Sequence, residues 1–516
     1  MKNVLVILFA LLCPAIVAQY NARTDTACQN YPSPLPCPGP ACTRSGSALG
    51  MNTIITPTDF NNRIIRLTDA NFDPGVPGVS YVFATEGGPN RNWMDVSETR
   101  IAFDSAGAGA YFISWNPTTM QAAFLYGHYI NGSGMDTWAS FVTPKLFYRI
   151  EFTGGLNTGN PAIYSYDTTN TATPRRTLVK DLSQCDSSLA GTGNQGGQQN
   201  FNVSRDDQTF LAVLQNNAQQ YLAVFWNRTN GCRVLNEATG VVTGAWGATG
   251  HIIDTTTGLT PTFTNHGVIL SPDATWASVT PSVCIANCNP TTIYYWQLAG
   301  LTETPVIEAS AFGHDALGYA NRVNAVSYGC DEGTCYPDRL MWTEPFNNLN
   351  HHPATPVNET DAWLVGGSAS GWDAHISWLH NDPTDSTPFC ETLYLFYTNN
   401  LSPACSFYDG TTFSPDSAWA NEILCVDRNA SCLATNSCTT WRFSHTYSSG
   451  ESPLFQSQIA LGAVSANGKW FMWTSDWNGM LGNNTRSPSC NPALNCRSDL
   501  FITPLPTTCT GASCRR

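Results

Sequence analysis

The sequence predicts an all-β protein that folds as a single β-propeller. Short β-rich runs recur along the chain, many of them behind a similar turn. Helical periodicity is nearly absent, because Gly and Pro interrupt every apolar run. The best-formed unit is 458–477, in which the turn 465–468 joins an apolar strand to an aromatic one. No segment has the composition of a convincing linker, so the units are expected to form one domain.

The number of recurring units sets the expected number of blades. The turns are anchored at Ser97, Phe141, Ser204, Ser271, Ser327, Ser377 and Ser465. A four-stranded blade needs about 40–50 residues, and loop insertions such as 402–438 account for the longer spacing. We therefore expect seven four-stranded blades around a central channel. Six or eight blades are alternatives, as is a two-sheet sandwich, although a sandwich would not explain the repeated turn.

The two ends of the chain are expected to meet in one sheet. The run 53–67 alternates like a strand but has no blade of its own. It is expected to join the last blade as its outer strand, beside strands from 458–477 and 498–505. This pairing would remove a pair of exposed sheet edges.

The N-terminal residues have the pattern of an export signal. Lys2, the apolar run 4–12 and the small residue Ala18 predict a signal peptide over residues 1–18. We then expect a Pro- and Cys-rich irregular leader at 19–52, the propeller at 53–506 and a C-terminal tail at 507–516. No later run approaches the roughly 20 apolar residues of a membrane span. The mature protein is thus expected to be secreted, periplasmic or at the cell surface.

Cysteine usage agrees with export. Of 19 cysteines, Cys13 falls in the signal peptide, and the rest form an even number, which favours disulfides over zinc or catalytic thiols. Many lie close together and are predicted to clip hairpin loops, although the sequence alone does not fix the pairing. The close pairs are Cys37/Cys42, Cys284/Cys288, Cys330/Cys335, Cys432/Cys438, Cys490/Cys496 and Cys509/Cys514.

Charge excludes two classes of partner. Only 12% of residues are charged, against about 25% in a typical protein, and the net charge is -14. No basic stripe is available to neutralise phosphates, so nucleic acid and anionic membranes are not expected as partners. A carbohydrate or a protein partner is expected instead, bound by a monomer.

Two turns carry a family resemblance. The sequences SPDA at Ser271 and SANG at Ser465, each followed by a hydrophobic strand, resemble the S-P-D-G repeats of TolB-like β-propellers. The ending GKWFMWTSDW, followed by RSDLFITPL, resembles the last blade of exported bacterial propellers of that class. The resemblance covers most of 53–505 in architecture. Only the first turn keeps S-P-D and only the second keeps Gly, so the resemblance speaks for fold more than for function.

Three histidines recur at equivalent places. His266, His314 and His375 fall at or just ahead of the predicted innermost strands of three successive units. If those units are adjacent blades, three imidazoles converge near one opening of the channel. Neutral imidazoles suit a divalent transition metal, and Asp315, Asp373 and Gln458 would supply further oxygen ligands or hydrogen-bond partners. Alternatively, each histidine binds the backbone of a neighbouring blade.

The histidine arrangement is similar to that of oligogalacturonate lyases, a TolB-like propeller group with a metal held by histidines on the propeller face. The resemblance implies removal of the proton α to a uronate carboxylate. The family's ligand motif does not align residue by residue with these histidines, and no general base stands out. The activity is therefore not carried over, and the catalytic residues stay unassigned.

Tryptophans are the aromatic side chains considered for stacking on sugars. Those near turns or strand entries are the better candidates for an exposed face, namely Trp93, Trp138, Trp372 and Trp477. Those inside strand-like runs are expected to pack between blades, namely Trp115, Trp226, Trp296, Trp342 and Trp473.

The common catalytic signatures are missing from the sequence. It has no G-x-S-x-G elbow, H-E-x-x-H helix, P-loop or dinucleotide fingerprint. This favours a binding or scaffold module that holds a carbohydrate or a protein partner at the channel mouth. The alternative is a metal-assisted polysaccharide lyase or hydrolase that uses the histidine cluster.

Overall fold

A computed structural model gives the architecture. It describes residues 50–69, 71–73, 81–82, 91–105, 109–127, 137–155, 158–171, 173–192, 200–254, 257–288, 293–301, 306–308, 315–317, 322–326, 330–331, 334–335, 341–345, 373–377, 390–396, 407–408, 413–414, 422–427, 440–447, 462–475, 477, 481, 498–505, 508–510 and 513–515. For some of these, including most of those between 302 and 461, only the backbone is described. The predicted signal peptide and almost all of the leader lie outside the described residues.

The described strands form seven antiparallel sheets of three or more strands, numbered here in chain order. Sheet 1 contains Tyr81–Val82, Arg100–Ser105, Gly109–Asn116 and Gln121–Gly127. Sheet 2 contains Thr137–Ala139, Leu146–Phe152, Pro161–Asp167 and Arg175–Asp181. Sheet 3 contains Phe201–Val203, Thr209–Gln215, Tyr221–Asn227, Gly231–Asn236, Val241–Gly244 and Gly250–His251. Sheet 4 contains Thr262–Leu270, Trp276–Ala286, Ile293–Gln297 and Val306–Glu308.

The remaining sheets complete the series. Sheet 5 contains Asp315–Leu317, Arg322–Val326 and Met341–Pro345. Sheet 6 contains Asp373–Ser377, Cys390–Phe396, Glu422–Asp427 and Thr440–His445. Sheet 7 contains Gly462–Val464, Trp470–Ser475, Asp499–Pro504, Ile64–Arg66 and Ile54–Ile55, in that order across the sheet. Three two-stranded ribbons pair Cys330–Asp331 with Thr334–Cys335, Phe407–Tyr408 with Phe413–Ser414, and Thr508–Thr510 with Ser513–Arg515.

Two expectations about the sheets were wrong. Four strands were predicted for each blade, but sheet 3 has six, because the strand Gly231–Asn236 continues into a further hairpin through the turn at 237–240. The anchor at Ser327 follows the second strand of sheet 5, whereas the first strand is Asp315–Leu317. The first strand spans only three residues, too few to give a strand pattern in the sequence.

Helix is confined to two short 3₁₀ turns in the described part of the chain, Leu182–Gln184 and Ser187–Leu189. Within the same residues, no helix is long and apolar enough to span a membrane.

A serine turn joins the first and second strands of sheets 3, 4 and 7. In each, the serine N–H donates to the carbonyl five residues on at 2.8 Å, from Ser204 to Thr209, Ser271 to Trp276 and Ser465 to Trp470. The serine Oγ accepts the N–H of that same residue at 2.8, 2.9 and 3.1 Å. The fourth residue of each turn has positive φ, namely Asp207 at 57°, Ala274 at 57° and Gly468 at 70°. The fourth position of the S-P-D-G repeat therefore favours glycine for conformational reasons.

Exchanging glycine and alanine at this position is expected to have opposite effects in two turns. Ala274→Gly should raise the free energy of unfolding by about 1 kcal/mol, and Gly468→Ala should lower it by a similar amount, because only glycine adopts positive φ without strain. Urea denaturation followed by tryptophan fluorescence measures both. Ala238→Gly is the control, since that turn residue has ordinary φ and its change should be neutral or destabilising. A loss of stability in Ala274→Gly would contradict this account.

Sheet 7 brings together the two ends of the described chain, as the sequence predicts. Ile65 pairs with Ile502 and Arg66 with Phe501. The Arg66 guanidinium forms a buried ion pair with the Asp499 carboxylate. Thr68 Oγ donates to the same carboxylate at 3.0 Å and accepts the Leu500 N–H at 3.1 Å.

The loop between the strands Ile54–Ile55 and Ile64–Arg66 is also tied to sheet 6. Asp59 accepts the Tyr447 hydroxyl at 2.7 Å and contacts His445 Nδ1 at 2.5 Å. Beside them, Arg442 donates twice to Glu422, at 2.6 Å for each bond. All of these groups are buried, so His445 serves as an internal link between segments.

Successive sheets contact one another through their first strands. The first strand of each of sheets 2–6 contacts the next sheet, the second strand of sheet 1 contacts sheet 2, and Tyr81–Val82 of sheet 1 contacts sheet 7. Side-chain amides and a hydroxyl join some of these strands. Asn200 and Asn202 of sheet 3 accept the Val268 and Leu270 N–H groups of sheet 4, and Ser377 accepts the Val464 N–H, each at 3.0 Å.

Aromatic side chains fill the spaces between sheets. Edge-to-face pairs with ring centroids 5.0–5.6 Å apart join Trp470 to Trp115, Phe112 to Phe147, Tyr148 to Phe210, and Phe225 to Trp296. The predicted packing role is confirmed for Trp115, Trp296 and Trp473, which are buried.

Two disulfides are described. Cys284–Cys288 is the local clip that the sequence predicts. Cys185–Cys232 joins the 3₁₀ segment after sheet 2 to sheet 3, a long-range pairing that the sequence left open. Strand register places Cys330 opposite Cys335 and Cys509 opposite Cys514, but the side chains of these four residues lie outside the description, so those two bonds stay predictions.

Candidate functional site

A cavity of about 110 Å³ lies where the turns of sheets 7, 1, 2 and 3 meet. Sheet 1 contributes Asn92 and 94–96, from the segment paired with its second strand. The other walls come from turn residues 140–141, 205 and 465–467. Each of these turns follows a first strand or the equivalent segment 91–95. The packing of neighbouring first strands therefore assembles the cavity from parts of the chain far apart in sequence.

Arg205 links three of the other sheets from its place in the sheet 3 turn. Its N–H donates to the Pro272 carbonyl of sheet 4 at 2.8 Å. One guanidinium nitrogen donates to the Ala466 carbonyl of sheet 7 at 3.4 Å. The guanidinium carbon also lies 5.6 Å from the ring centroid of Phe141 in sheet 2, within cation–π range. Arg205 thus places a cation on the cavity wall.

Most polar groups on the wall are used by the turns themselves. Asp95 Oδ1 accepts the N–H groups of Thr99 and Arg100 at 2.7 and 2.6 Å, and Oδ2 accepts the Lys145 N–H at 3.1 Å. Ser465 Oγ, besides capping its own turn, bonds Asn467 Oδ1 at 2.6 Å. These hydrogen bonds fix the shape of the wall.

Ser140 is similarly engaged. Its Oγ accepts the Val142 and Thr143 N–H groups at 3.1 and 2.7 Å and donates to the Asp207 carboxylate. Asp207 also accepts the Phe141 N–H and the Tyr148 hydroxyl, both at 3.1 Å. Burial raises the pKa of Asp207, and these hydrogen bonds oppose the rise. Burial also raises the pKa of Tyr148 to about 12, so this hydroxyl stays a donor at neutral pH.

Asn92 differs from the other polar residues of the wall. Its side-chain Nδ2 donates to the Ala139 carbonyl at 2.9 Å, and its backbone carbonyl accepts the Ala139 N–H at 2.6 Å. The first bond fixes the orientation of the side-chain amide, because a flipped amide would place Asn92 Oδ1 against the Ala139 carbonyl oxygen. Asn92 is 1% exposed, and its Oδ1 has no hydrogen-bond partner among the described residues. Asn92 therefore contains a buried acceptor that none of the described residues satisfies.

The comparisons with known proteins concern the fold. No protein-family model and no characterised protein sequence matches the chain. The structure is similar to β-propeller proteins. An oligogalacturonate lyase in complex with manganese is 10% identical, with a TM-score of 0.45 over 88% of this chain and 96% of that chain. The β-propeller domain of the Trilobed protease from Pyrococcus furiosus is 8% identical, with a TM-score of 0.33 over 68% and 93%. TolB from Acinetobacter baumannii is 14% identical, with a TM-score of 0.24 over 48% and 49%.

The backbone places part of the predicted histidine site on neighbouring sheets. His266 lies on the first strand of sheet 4, Asp315 on that of sheet 5, and Asp373 and His375 on that of sheet 6. Their side chains lie outside the description, as do His314, Gln458 and Trp372 entirely. Convergence of these groups stays a prediction. Among the side chains that are described, no group of three His, Cys, Asp or Glu residues could hold a metal ion.

The exposed-face prediction for three tryptophans was wrong. Trp93, Trp138 and Trp477 are all buried. Trp93 Nε1 donates to the Ala463 carbonyl at 3.1 Å, which ties sheet 1 to sheet 7. Trp93 precedes a turn in sequence, but its segment lies between two sheets, and this burial removes it as a stacking platform for sugars.

Sequence reasoning also missed the residues of the cavity. It placed the functional opening at the starts of the first strands, whereas the cavity lies at their ends. Asn92, Phe141 and Arg205 carry no motif. The signal that would have found them is the recurring turn, which was interpreted only as evidence for the fold.

Proposed function

We propose that the protein is a seven-bladed β-propeller that acts as a binding or scaffold module at one end of its channel, for a carbohydrate or a protein partner. The observation that carries the proposal is the cavity assembled by the turns of four sheets. Val96, which lines the cavity, is itself 51% exposed.

The blade number and ring closure have their own support. The seven sheets contact one another in sequence order, and sheet 1 contacts sheet 7. The N-terminal strands pair with the edge of Asp499–Pro504 in sheet 7, and this pairing supports a ring closed by them. We propose the propeller at 53–506, preceded by a signal peptide over 1–18 and the leader at 19–52. The segment 507–516 would form a tail clipped by Cys509–Cys514.

Export agrees with the two disulfides, Cys185–Cys232 and Cys284–Cys288. Disulfides persist in oxidising compartments and are rare in the cytosol. We place the mature protein outside the cytosol, as a secreted, periplasmic or surface protein that works as a monomer.

Blocking the cavity tests the binding function. The full mature protein is applied to arrays of defined glycans and defined peptides. Ala466→Trp places an indole at the cavity wall. It should lower the affinity of every ligand bound there at least about tenfold, because the indole takes the space in which the ligand makes its contacts. Ala218→Trp, at an exposed turn of sheet 3, is the matched control and should bind like wild type. Equal binding by both variants would contradict a role for the cavity.

A metal-assisted polysaccharide lyase or hydrolase is the second candidate. It is favoured by the placement of His266, Asp315 and His375 on the first strands of three consecutive sheets. On this hypothesis wild-type protein keeps about one divalent transition metal per chain after dialysis, because neutral imidazoles bind such ions well. Elemental analysis should show that His314→Ala and His375→Ala lose it, while His251→Ala, at an exposed strand of sheet 3, retains it. Metal-free wild-type protein would rule out the site.

A further inference from the structure

Glu237 carries a buried carboxyl group in the turn 237–240, which leads from the fourth to the fifth strand of sheet 3. Its side chain is 0% exposed, and neither carboxyl oxygen has a hydrogen-bond partner among the described residues. A buried carboxylate without a partner costs far more free energy than a buried carboxylic acid. The ionised form of Glu237 therefore requires access to water, and the fold as it stands buries both oxygens.

The segment 257–262, which leads into the first strand of sheet 4, packs against this turn. A side chain added at Gly240 would clash with Thr260 Cγ2 and would lie 3.0 Å from the Pro261 carbonyl oxygen, so the turn and the segment are in direct contact. At the end of the segment, the Phe263 N–H donates to the Glu237 backbone carbonyl at 3.0 Å. The segment thus lies against the turn that holds the buried carboxyl.

The segment is tied down by isolated contacts. In the described part of the chain, the Leu259 carbonyl accepts the Asp254 N–H at 2.8 Å, and the Thr260 carbonyl accepts Asn287 Nδ2 at 3.1 Å. Leu259 is 50% exposed. By contrast, the second and third strands of sheet 3 pair with each other along their whole length. Exposed segments with few such bonds open at a lower free-energy cost than core strands.

The carboxyl group has no charged partner that could stabilise its ionised form in place of water. The charged and titratable groups with described side chains on the elements packed around it are Tyr221, Arg233, His251, Asp254 and Tyr294. Neither these groups nor any other described residue forms a hydrogen bond with the Glu237 carboxyl. Burial accounts for the raised pKa of Glu237.

We infer that the segment 257–262 is a proton-controlled cover, closed while Glu237 is protonated and displaced from the turn 237–240 when Glu237 ionises. In the open state water reaches the carboxyl, which then releases its proton above about pH 4.3, whereas the closed state keeps the proton to a higher pH. The open state therefore gains population as pH rises, about tenfold per pH unit, until pH exceeds the pKa of the closed state.

The cover lies away from the cavity. It precedes the first strand of sheet 4, whereas the cavity is built from turns that follow first strands. It is therefore independent of the proposed binding function, and either can fail without the other.

Hydrogen exchange of the full mature chain, followed by mass spectrometry at pH 5, 6 and 7, tests the cover. The reporting amides include those of Gly240 and Phe263, which donate to the Asn236 and Glu237 carbonyls. Glu237→Gln keeps the shape of the side chain without the proton, so a comparison at equal pH cancels the intrinsic pH dependence of exchange. Between pH 5 and pH 6, the ratio of the wild-type rate to the variant rate should rise about tenfold for peptides within 237–263.

Urea separates opening of the cover from unfolding of the whole domain. At pH 6, about 1 M urea should leave the wild-type exchange rate of 237–263 unchanged, because a local opening exposes little surface. The strands within 209–227 should exchange more slowly and should accelerate in urea. Asp206→Asn removes an exposed carboxylate of the sheet 3 turn and should behave like wild type throughout.

Two outcomes would overturn the inference. One is a ratio of wild-type to Glu237→Gln rates that stays constant from pH 5 to pH 7, which would mean that the proton does not control the segment. The other is exchange of 237–263 at the rate and with the urea dependence of 209–227, which would mean that the segment opens only with the whole domain. If Glu237→Gln fails to fold, Glu237→Leu gives the same comparison, and the urea test on wild type needs no variant.

Discussion

Asp499→Ala is expected to lower the free energy of unfolding by about 3–5 kcal/mol, because it leaves a buried guanidinium without its carboxylate. Asp499 is fully buried in sheet 7, where it forms the ion pair with Arg66 and accepts the Thr68 hydroxyl. Arg66 is itself only 2% exposed, so water cannot replace the lost partner without opening the sheet. Urea denaturation followed by tryptophan fluorescence measures the loss.

The position of the ion pair gives this variant a local consequence. Asp499 lies on the C-terminal strand and Arg66 on the N-terminal strand of the same sheet, so their separation should loosen the N-terminal strand first. Limited proteolysis should therefore cut within 50–70 sooner in Asp499→Ala than in wild type. Such cleavage would favour a ring closed by these strands.

Two further variants test the cause. Arg66→Met combined with Asp499→Leu removes both charges and should recover most of the lost stability, because an apolar pair of similar volume often replaces a buried ion pair without loss. Lys469→Ala breaks the ion pair to Glu98, in which the lysine is 39% exposed, and should cost under about 1 kcal/mol. A cost for Asp499→Ala as small as that for Lys469→Ala would contradict the argument.

The terminal sheet was predictable from the sequence because local signals agreed. The run 53–67 alternates, the turn at Ser465 has a serine cap and a glycine, and both flanking strands are apolar. Each signal depends on neighbours only a few residues away, and burial of the strands then brings the two ends together.

The cavity was not predictable from local signals, because its contacts join residues that are distant in the chain. Arg205 meets Ala466 across 261 residues, and the Trp93 indole meets Ala463 across 370. Nothing within a few residues of Asn92 indicates that its amide is held by Ala139. A serine turn reveals where a strand ends, but which turns become neighbours is decided by the packing of whole sheets.

Glu237 is the source of the second large effect. It follows the fourth strand of sheet 3. Its N–H donates to the Tyr221 backbone carbonyl, and its own backbone carbonyl accepts the Phe263 N–H of sheet 4, both at 3.0 Å. Its side chain is fully buried, and neither carboxyl oxygen has a hydrogen-bond partner among the described residues. Burial therefore raises the pKa of Glu237 well above its ordinary value, so the folded protein keeps this carboxyl protonated to a higher pH than the unfolded chain does.

The raised pKa makes stability fall as pH rises. An unfolded chain releases the Glu237 proton above about pH 4.3, while the folded chain keeps it. Between the unfolded pKa and the folded pKa, the folded state binds more protons, so the contribution of Glu237 is fully present below about pH 4.3 and declines above it. The decline is about 1.4 kcal/mol per pH unit for one proton, and it stops once pH exceeds the folded pKa.

Glu237→Gln should remove this contribution while keeping the shape of the side chain. Relative to wild type, the variant should gain about 1.4 kcal/mol in the free energy of unfolding between pH 5 and pH 6, because only wild type has the proton to lose. Urea denaturation at a series of pH values measures the difference. Asp207 also has a raised pKa, but it is present in both proteins and cancels in the comparison.

Glu237→Leu separates titration from packing. Leucine also lacks the proton, so its stability relative to Glu237→Gln should be independent of pH, even if the two variants differ at every pH by a constant amount. That constant reports how the space between sheets 3 and 4 accepts an amide compared with an apolar group. A wild-type protein whose stability runs parallel to both variants from pH 5 to pH 7 would show that Glu237 is ionised in the fold, and therefore that a partner or water reaches its carboxylate.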